Sequence, residues 1–587
     1  MQGATETPHA QISELQATLI ERDIALAASR AELAAERERV VQLTSERDQL
    51  RASHERLRLE LELLKRRIFL AKAERIDTTQ LELEFAEKLA ALDQLAGLVV
   101  PAPSAPDDTV AGDGVAPAAP GPKKDKKSKP TGRRDLSTAA LQEERVEIKD
   151  DVLEKLVAEG KAERIADETS CKLAWQRGGV RRLVVARAKY RVFDQQGESA
   201  IETAPVPPEA LRRSLAAPSM LAHVITDKYS DGLPLNRQEN RLEREGFRVD
   251  RGTLCRWVED VGATLGATIV AAARAEAIRT AFCIATDATG ISVQPERGKE
   301  RQACRRGHYF VIIADKDHIF FEYEPKETSA AVEKMFEGYS GYLQLDAKSV
   351  FDKLFRPPED EPPDGDEEPL RHEVGCWSHC RRKFWEAAVA KDVVGREGLA
   401  RISRLFQLEA TWRDKPHVEI SRLRGQHLRP HLDAFFEWAE QQYELVRDQR
   451  GLLRSALGYA LRQKNALRRF LDDGRLLLEN NRSERELRRI AVGRKAFLFV
   501  GSDDHAESAG HLYSLIASAR LHRLDPEAYL RDVIRVLPHW PRERHLELAP
   551  KYWAATRARL DPVQLGRELG ELAVPPPLPS QEEVAAR

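Results

Sequence analysis

From Ile12 to Ile68, apolar residues keep one seven-residue register at two seam positions. This spacing predicts a long helix whose apolar seam packs against a second helix in a coiled coil. Polar residues such as Arg22 and Glu36 interrupt the seam, which weakens it but helps to select register and partner. The alternative is a solitary charged helix packed on its own protein. We assign residues 1–76 to a coiled coil that mediates self-association. The two seam positions hold Ile12, Leu19, Leu26, Leu33, Val40, Leu61 and Ile68, and Leu15, Leu43, Leu50, Leu57 and Leu64.

The remaining composition is that of a large protein with several domains. The chain has 587 residues and a net charge of −2, with 93 Lys and Arg against 95 Asp and Glu. Its length suggests about three to five domains. Any polyanion must be met by local basic patches, because the overall charge is balanced. No apolar run approaches the roughly 18 residues of a membrane span, and the N-terminus lacks the pattern of a signal peptide. A cytoplasmic location is therefore expected.

The six cysteines contain no C-x-x-C pair, which argues against a disulfide framework and a zinc ribbon. Cys376, His379 and Cys380 have a spacing that could bind a metal, but no second ligand pair lies nearby in sequence. The end of a strand followed by the start of a helix is the preferred interpretation. Zinc is not expected.

The region after the coiled coil predicts a linker and then a small folded module. Residues 77–135 are rich in Pro and Ala and then in Lys and Arg, which indicates a disordered linker. Its basic end, from Lys123 to Arg134, is able to contact nucleic-acid phosphates without reading sequence. The equal alternative is that this stretch is only a solvated tether. Residues 136–205 predict a β-containing module around short runs at Leu183–Ala186 and Tyr190–Phe193.

Residues 206–265 predict a helix-turn-helix. The pattern indicates helices over 218–229, 234–245 and 251–261, with Gly246 ending the second and Asp250 capping the third. The third helix carries Arg251, Thr253 and Arg256, which we predict to contact DNA. The alternative is a helix pair that serves only in packing.

Residues 270–500 predict an α/β catalytic domain. Strand-like segments come first, then the helical stretch KETSAAVEKMFEGY, then further strands, an order typical of α/β proteins. Asp287 is predicted to end the first strand and Asp346 a strand after the crossover helix. Glu484 lies on a later basic helix. An acidic insert at 356–371 and a helical insertion at 390–471 interrupt the domain, and a helical region at 501–587 follows it.

The three acids predict a two-metal site. Two Mg²⁺ (or Mn²⁺) ions need hard oxygen ligands, and together they promote in-line displacement at a phosphodiester. The alternative for each single acid is a capping or turn residue. Asp315 and Asp317 are interpreted as hairpin-turn residues, and the acids at 503 and 504 as loop residues.

Basic residues surround the third acid. Twelve Lys and Arg but only five acids lie between Gly451 and Val500, which suits a polyanionic substrate. The alternative, a solvated helix face, explains the count but not the apolar run that follows. The run GRKAFLFVGS that follows Glu484 is interpreted as strand-like. The predicted phosphate contacts in the catalytic domain are Arg381, Arg382, Lys383, Arg485, Arg488, Arg494 and Lys495.

The chain resembles the DDE transposases of the insertion sequence 66 family. The segment that begins ENNRSERELRRIAVGRKAFLFVGS is similar to the family's motif around the third acid, and GYLQLDAKSVFDKL and GCWSHCRRKFWEA to those around and after the second. LPLNRQENRLEREGFRVDRGTLCRWV resembles its helix-turn-helix. The resemblance implies an RNase H-like core with a helical insertion, and metal-binding acids at Asp287, Asp346 and Glu484.

The chain also departs from the family pattern. Ala288, Thr289 and Gly290 stand where the family has a second acid and a threonine-proline pair, and Ala347 replaces a glycine. Of the paired cysteines in the family's zinc-finger module, only Cys171 remains, so zinc ligands at 136–205 are mostly lost.

The resemblance implies a metal-dependent DNA transposase that cleaves element ends and joins them to target DNA. Its expected partners are terminal inverted repeats, target DNA, further copies of the chain and accessory proteins of the same element, at the nucleoid and not at a membrane. Two alternatives stay open: a DNA-binding protein derived from a transposase without catalysis, and a structure-specific nuclease on an RNase H-like core.

Overall fold

The computed structural model describes residues 8–73, the helical positions 85, 88, 89 and 91, and residues 142–176, 179–193, 199–295, 303–355 and 370–579. The remainder of the predicted linker at 77–135 and most of the acidic insert at 356–371 lie outside the described residues. Phe85 and Leu89, which fall within the predicted linker, are helical and buried. Their spacing of four places both apolar side chains on one helix face.

The chain divides into two compact units, and the first is helical. It comprises the described residues of Met1–Gly121 together with Lys383–Gln407 and Leu445–Ala456. Its main element is α1 (Pro8–Ala73), one helix of 66 residues. Phe85 packs edge-to-face on Trp385, with the ring centroids 6.5 Å apart.

The second unit begins with a four-stranded sheet. Its elements are β1 (Gln142–Ile148), α2 (Asp151–Ala158), β2 (Ala162–Gln176), β3 (Gly179–Phe193) and β4 (Ser199–Thr203). β3 is central: β2 pairs with one edge, and β1 and β4 pair with the other. The two short β-like runs predicted from the sequence belong to one strand, β3.

Three helices follow the first sheet, α3 (Pro218–Tyr229), α4 (Leu235–Arg244) and α5 (Arg251–Leu265). Asp250 caps α5, because its carboxylate accepts a hydrogen bond from the backbone N–H of Thr253. A π-helical turn (Gly266–Val270) continues α5 into α6 (Ala271–Thr280), so the third predicted helix is longer than expected. By length and composition alone the helix Arg251–Thr280 could cross a membrane, but half of its most apolar window is buried inside the protein.

The second sheet has five strands and confirms the predicted α/β class. In chain order the elements are β5 (Cys283–Val293), β6 (Arg305–Ala314), β7 (His318–Glu324), α7 (Ser329–Met335), β8 (Gly341–Gln344) and β9 (Arg371–Val374). The strand order is β7-β6-β5-β8-β9. β5, β6 and β7 are antiparallel, whereas β8 runs parallel to β5 and β9 runs parallel to β8.

Most of the described residues between Trp377 and Gly566 are helical, and by sequence range they belong partly to each unit. The helices are α8 (Trp377–Val389), α9 (Val393–Ala410), α10 (His417–Leu423), α11 (Arg429–Val446), α12 (Leu452–Arg462), α13 (Lys464–Arg468), α14 (Asn481–Phe497), α15 (Asp503–Leu521), α16 (Pro526–Val536), α17 (Pro550–Arg557) and α18 (Pro562–Gly566), some of which extend into the first unit.

Two sequence interpretations near the third acid were wrong. The strand-like run GRKAFLFVGS is helical as far as Phe497, where α14 ends, and Val500 makes only an isolated bridge to Val293. Local helix propensity and the buried face of α14 outweigh the apolar, β-like composition. Asp503 and Asp504 form the first turn of α15, which Ser502 caps, instead of a loop.

Helix α15 covers the open edge of the second sheet. The backbone N–H groups of Ile319 and Phe321 on edge strand β7 donate to the hydroxyls of Ser518 and Ser514, at 2.9 Å and 2.8 Å. Gly510 lies one turn earlier on the same face, where a Cβ atom would stand 2.4 Å from the carbonyl oxygen of Phe321. These small residues let the helix approach the strand and satisfy backbone groups that an exposed edge would leave unpaired.

Replacing Gly510 with Ala should destabilise the protein by about 1–3 kcal/mol, because the new methyl group overlaps strand backbone that cannot move aside easily. Chemical denaturation of the full chain measures the change. Gly566→Ala in α18 is the matched control, since nothing lies within 4 Å of its Cβ position. Equal stabilities of the two variants would show that α15 does not need this close approach.

Candidate active site

Asp287, on β5, and Asp346, just after the neighbouring strand β8, lie side by side. β5 and β8 are parallel, with Ala285 opposite Gln344, so the same register two residues later brings Asp287 beside Asp346. Asp287 is within β5, which continues to Val293, so the prediction that it ends the first strand was wrong. Asp346 follows the last residue of β8 by two positions.

The two carboxylates form an environment that favours positive charge. Burial and the negative charge of Asp346 raise the pKa of Asp287 to about 6. The ammonium group of Lys348 stands 3.7 Å from Asp287 Oδ1 and 3.6 Å from Asp346 Oδ2. Since two buried carboxylates repel one another, a cation shared by both stabilises their ionised forms.

Glu484 lies in the first turn of α14 and contacts a histidine. His379 Nε2 is 3.6 Å from Glu484 Oε1, and 52% of the glutamate side chain is exposed. Burial opposes a charge on His379, but the adjacent Cys376 and the carboxylates of Glu484 and Asp346 outweigh it and raise its pKa to about 9. His379 is therefore within electrostatic range of both Glu484 and the aspartate pair.

Buried hydrogen bonds hold the start of α14 against the strands. Asn480 Nδ2 donates to the carbonyl oxygen of Thr286 at 2.8 Å, one residue before Asp287. The Ser483 hydroxyl donates to Asn480 Oδ1 at 2.7 Å. Gln344 Nε2, at the end of β8, donates to the carbonyl oxygen of Leu477 at 2.7 Å. The segment that carries the third acid is thus tied to both strands that position the first two.

The aspartate pair fits a divalent metal better than the cysteines do. Asp346 Oδ1 is buried and has no hydrogen-bond partner among the described residues, as expected of an oxygen that is able to bind a cation. Within the described ranges, however, no three His, Cys, Asp or Glu side chains converge as in a preformed metal cage. Cys376 and Cys380 are buried, and Cys376 Sγ accepts a hydrogen bond from the backbone of Asn480.

The side chains predicted to contact DNA differ widely in exposure. Arg251 and Arg256 are exposed on α5, where Thr253 donates its hydroxyl to Asp250. In contrast, Arg381 is only 2% exposed, so a phosphate could not reach it in this conformation. Arg494 is half-buried and donates to the carbonyl oxygen of Gly290 at 2.6 Å. The remaining predicted contacts are exposed (Arg382, Arg485 and Lys495) or half-buried (Lys383 and Arg488).

Sequence profiles identify the family. The profile described as "Transposase IS66 family" matches residues 213–508, half of the chain, and the profile of the "IS66 C-terminal element" matches residues 514–550. The chain belongs to the IS66 family of transposases. The first match covers all three acids, the segment from Arg251 to Arg256 and both aspartate-bearing strands.

Three curated relatives of this family member come from Sinorhizobium fredii (strain NBRC 101917 / NGR234). They are the uncharacterized proteins y4qI, y4hP and y4jD. The chain is 26% identical to y4qI over 381 residues, which cover 63% of the chain and 68% of the relative. It is 28% identical to y4hP over 404 residues, or 64% and 70% of the two chains. No solved structure matches the chain.

Lys348 and Glu327, which lie near the acids, were not predicted from the sequence. The tethering role of Asn480 was not predicted either. Lys348 Nζ stands 3.6 Å from Glu327 Oε1 as well as beside both aspartates. Its position two residues after the second acid was the available signal. Glu327 had no signal of a role at the site, because it stands at the start of the helical stretch KETSAAVEKMFEGY, between β7 and α7.

Removal of the Asn480 side chain should loosen this arrangement. Asn480→Ala leaves the buried carbonyl of Thr286 without its donor, so the free energy of unfolding should fall by about 1–3 kcal/mol. Asn465→Ala, at an exposed position of α13, is the control and should stay within about 0.5 kcal/mol of the unmodified chain. Denaturant titrations of the three proteins measure the difference, and a loss no larger than the control's would mean that this tether is dispensable.

Proposed function

We propose that the chain is a DNA transposase that hydrolyses phosphodiester bonds at element ends and then joins the freed 3′-hydroxyl groups to target DNA. Asp287, Asp346 and Glu484 would be its catalytic, metal-binding residues. Membership of the IS66 family supports DNA transposition in general. The observation that carries the site assignment is the adjacency of Asp287 on β5 and Asp346 just after β8. The segment before Glu484 is tethered to β5 through Asn480 and to β8 through Gln344.

The sheet topology supports an RNase H-like core at 270–500. Three successive antiparallel strands are followed by a crossover helix, α7, and two parallel strands. In this order Asp287 lies on the central strand β5, and Asp346 follows the parallel neighbour β8 by two residues. The helices between 390 and 471 lie between the second and third acids in the chain, as a helical insertion would.

The acid cluster would use its oxygens to hold Mg²⁺ or Mn²⁺. Two such ions supply activation of the attacking hydroxyl and stabilisation of the leaving oxygen at a phosphodiester. The unpartnered Asp346 Oδ1 and the raised pKa of Asp287 support cation binding at the pair. Glu484 would complete the site by exchanging its contact with His379 for the shared cation.

The helix-turn-helix at 206–265 would help to read the terminal repeats. α5 has two distinct faces, since Arg251 and Arg256 are exposed whereas Trp257 is only 6% exposed in the core. A helix whose first two turns present basic side chains outward and apolar side chains inward suits docking on DNA. The exposed Arg485 and Lys495 on α14 would contact phosphates beside the cleavage site.

The coiled coil at 1–76 would pair subunits so that two element ends are held together. Seam residues of α1 remain exposed within one chain, among them Leu19 at 60%, Leu26 at 51% and Leu33 at 54%. A second copy would bury this seam, and burial of a leucine contributes about 1.5–3 kcal/mol. We place the assembly at DNA in the cytoplasm, with accessory proteins of the same element as further partners.

Substitution of the acids should abolish cleavage but preserve DNA binding. Asp287→Asn, Asp346→Asn and Glu484→Gln should each lower Mg²⁺-dependent cleavage at least about 100-fold, because loss of even a residue that only supports a metal ligand costs 10–100-fold. Purified full chain would be tested on DNA from both flanks of its coding region. Glu337→Gln, an exposed acid of the same domain, is the matched control.

The same assay separates the alternatives. Full activity in the Asp287→Asn or Glu484→Gln variant would overturn the site assignment. Specific binding without cleavage under any divalent metal would identify a DNA-binding protein without catalysis. Cleavage of branched DNA without strand joining would identify a nuclease.

Charges placed on the α1 seam should dissociate the oligomer. The double variant Leu26→Asp, Leu33→Asp should sediment as a single chain of 66.2 kDa, whereas the unmodified protein should sediment as a multiple of that mass. Ile24→Asp with Val41→Asp is a matched control, since both residues are as exposed as the seam residues but lie off the seam. Equal masses for both double variants would contradict pairing through this seam.

A further inference from the structure

Lys348 stands at the centre of three carboxylates. Its Nζ atom lies 3.7 Å from Asp287 Oδ1, 3.6 Å from Asp346 Oδ2 and 3.6 Å from Glu327 Oε1. A tight turn brings it there, since the backbone N–H of Lys348 donates to the carbonyl oxygen of Asp346 at 2.7 Å. The near-equal distances mean that the ammonium is shared among the acids and not committed to one.

Two of the carboxylate oxygens near Lys348 lack hydrogen-bond partners within the described part of the chain, whereas Asp287 Oδ1 also accepts a hydrogen bond from the backbone N–H of Ala288 at 2.7 Å. Asp346 Oδ1 and Glu327 Oε1 are both buried without a hydrogen-bond partner among the described residues. The other oxygen of Glu327 faces His308 Nε2 at 3.8 Å, and burial lowers the pKa of His308, which disfavours its charged form. Lys348 therefore supplies a full positive charge to an otherwise weakly satisfied group of acids.

The position of the ammonium matters because it is the position that a shared cation would take. Two carboxylates on adjacent strands attract a divalent ion to the space between them. Lys348 Nζ lies within 4 Å of both and 39% of its side chain is exposed, so it is able to leave toward solvent or toward Glu327. An ammonium and a divalent ion cannot both lie there, since like charges repel strongly at such a separation.

We propose that Lys348 is a built-in counter-cation of the aspartate pair, which neutralises the acids in metal-free protein and is displaced toward Glu327 when the first divalent ion binds. The inference rests on the proposed function, because it presumes a metal at Asp287 and Asp346. Metal binding is then an exchange of cations, and Glu327 is a positioning residue that receives the displaced ammonium.

The exchange predicts opposite effects of two substitutions on metal affinity. Lys348→Met removes the competing charge, so Mn²⁺ should bind at least about tenfold more tightly, which is a modest part of the Coulomb energy of charges about 4 Å apart. Glu327→Gln removes the receiving carboxylate, so Mn²⁺ should bind more weakly. In the double variant the affinity should return to that of Lys348→Met, because no ammonium is left to be received.

The experiment measures Mn²⁺ binding to the full chain without DNA, by electron paramagnetic resonance of the free ion at pH 8. Lys353→Met, at an exposed lysine five residues later in the chain, is the matched control for loss of charge. Lys348→Arg keeps a competing positive charge, so it should not reproduce the gain in affinity of Lys348→Met. Thermal melts without metal check folding, and Lys348→Met should melt at a lower temperature because its acids are no longer neutralised.

The outcomes separate the inference from the function on which it rests. If Asp346→Asn abolishes Mn²⁺ binding but Lys348→Met leaves it unchanged or weaker, the counter-cation role is overturned and the metal site stands. If the unmodified chain and Asp346→Asn bind Mn²⁺ equally, the metal site itself fails and the inference fails with it. Tighter binding in Lys348→Met and not in Lys353→Met, with weaker binding in Glu327→Gln, supports the exchange.

Discussion

The candidate site depends on one buried amide side chain. Asn480 is only 2% exposed, and it connects three parts of the chain that are far apart in sequence. It donates to the Thr286 carbonyl on β5, accepts from Ser483 in the first turn of α14, and its backbone N–H reaches Cys376 at the start of α8. A buried amide with such partners is costly to disrupt, because each partner would lose its hydrogen bond inside the protein. The position of Glu484 relative to the strands follows from these bonds.

A second set of contacts stabilises the sheet near which the three acids lie. The edge strand β7 offers unpaired backbone groups, and α15 satisfies them with Ser514 and Ser518 while Gly510 permits the close approach. The same helix packs against α5, where Gly262 lies against Ser508. One helix therefore joins the proposed DNA-binding helices to the sheet that bears the aspartates, which gives the two proposed activities a shared framework.

Sequence patterns predicted which helices and strands form better than they predicted where each one begins and ends. The helix at 218–229 and the α/β class were predicted, since apolar periodicity and capping residues such as Asp250 act locally. Asp287 was misplaced at a strand end because the strand continues through Ala288, Thr289 and Gly290, which carry no strong β signal. GRKAFLFVGS was misjudged because its apolar residues were read as a strand, whereas α14 extends to Phe497. Arg381 illustrates a further limit, since its charge predicted exposure but packing buries it.

The sequence by itself determined the membership of the IS66 family, the three acids as candidates and the seven-residue seam, because each is a matter of residue type and spacing. Only the tertiary structure decided which charges meet. The pairing of β5 with β8 brings Asp287 beside Asp346. The turn after β8 brings the ammonium group of Lys348 close to both aspartates and to Glu327. Such contacts join residues from separate elements, and their energies depend on distance and burial, which no local pattern records.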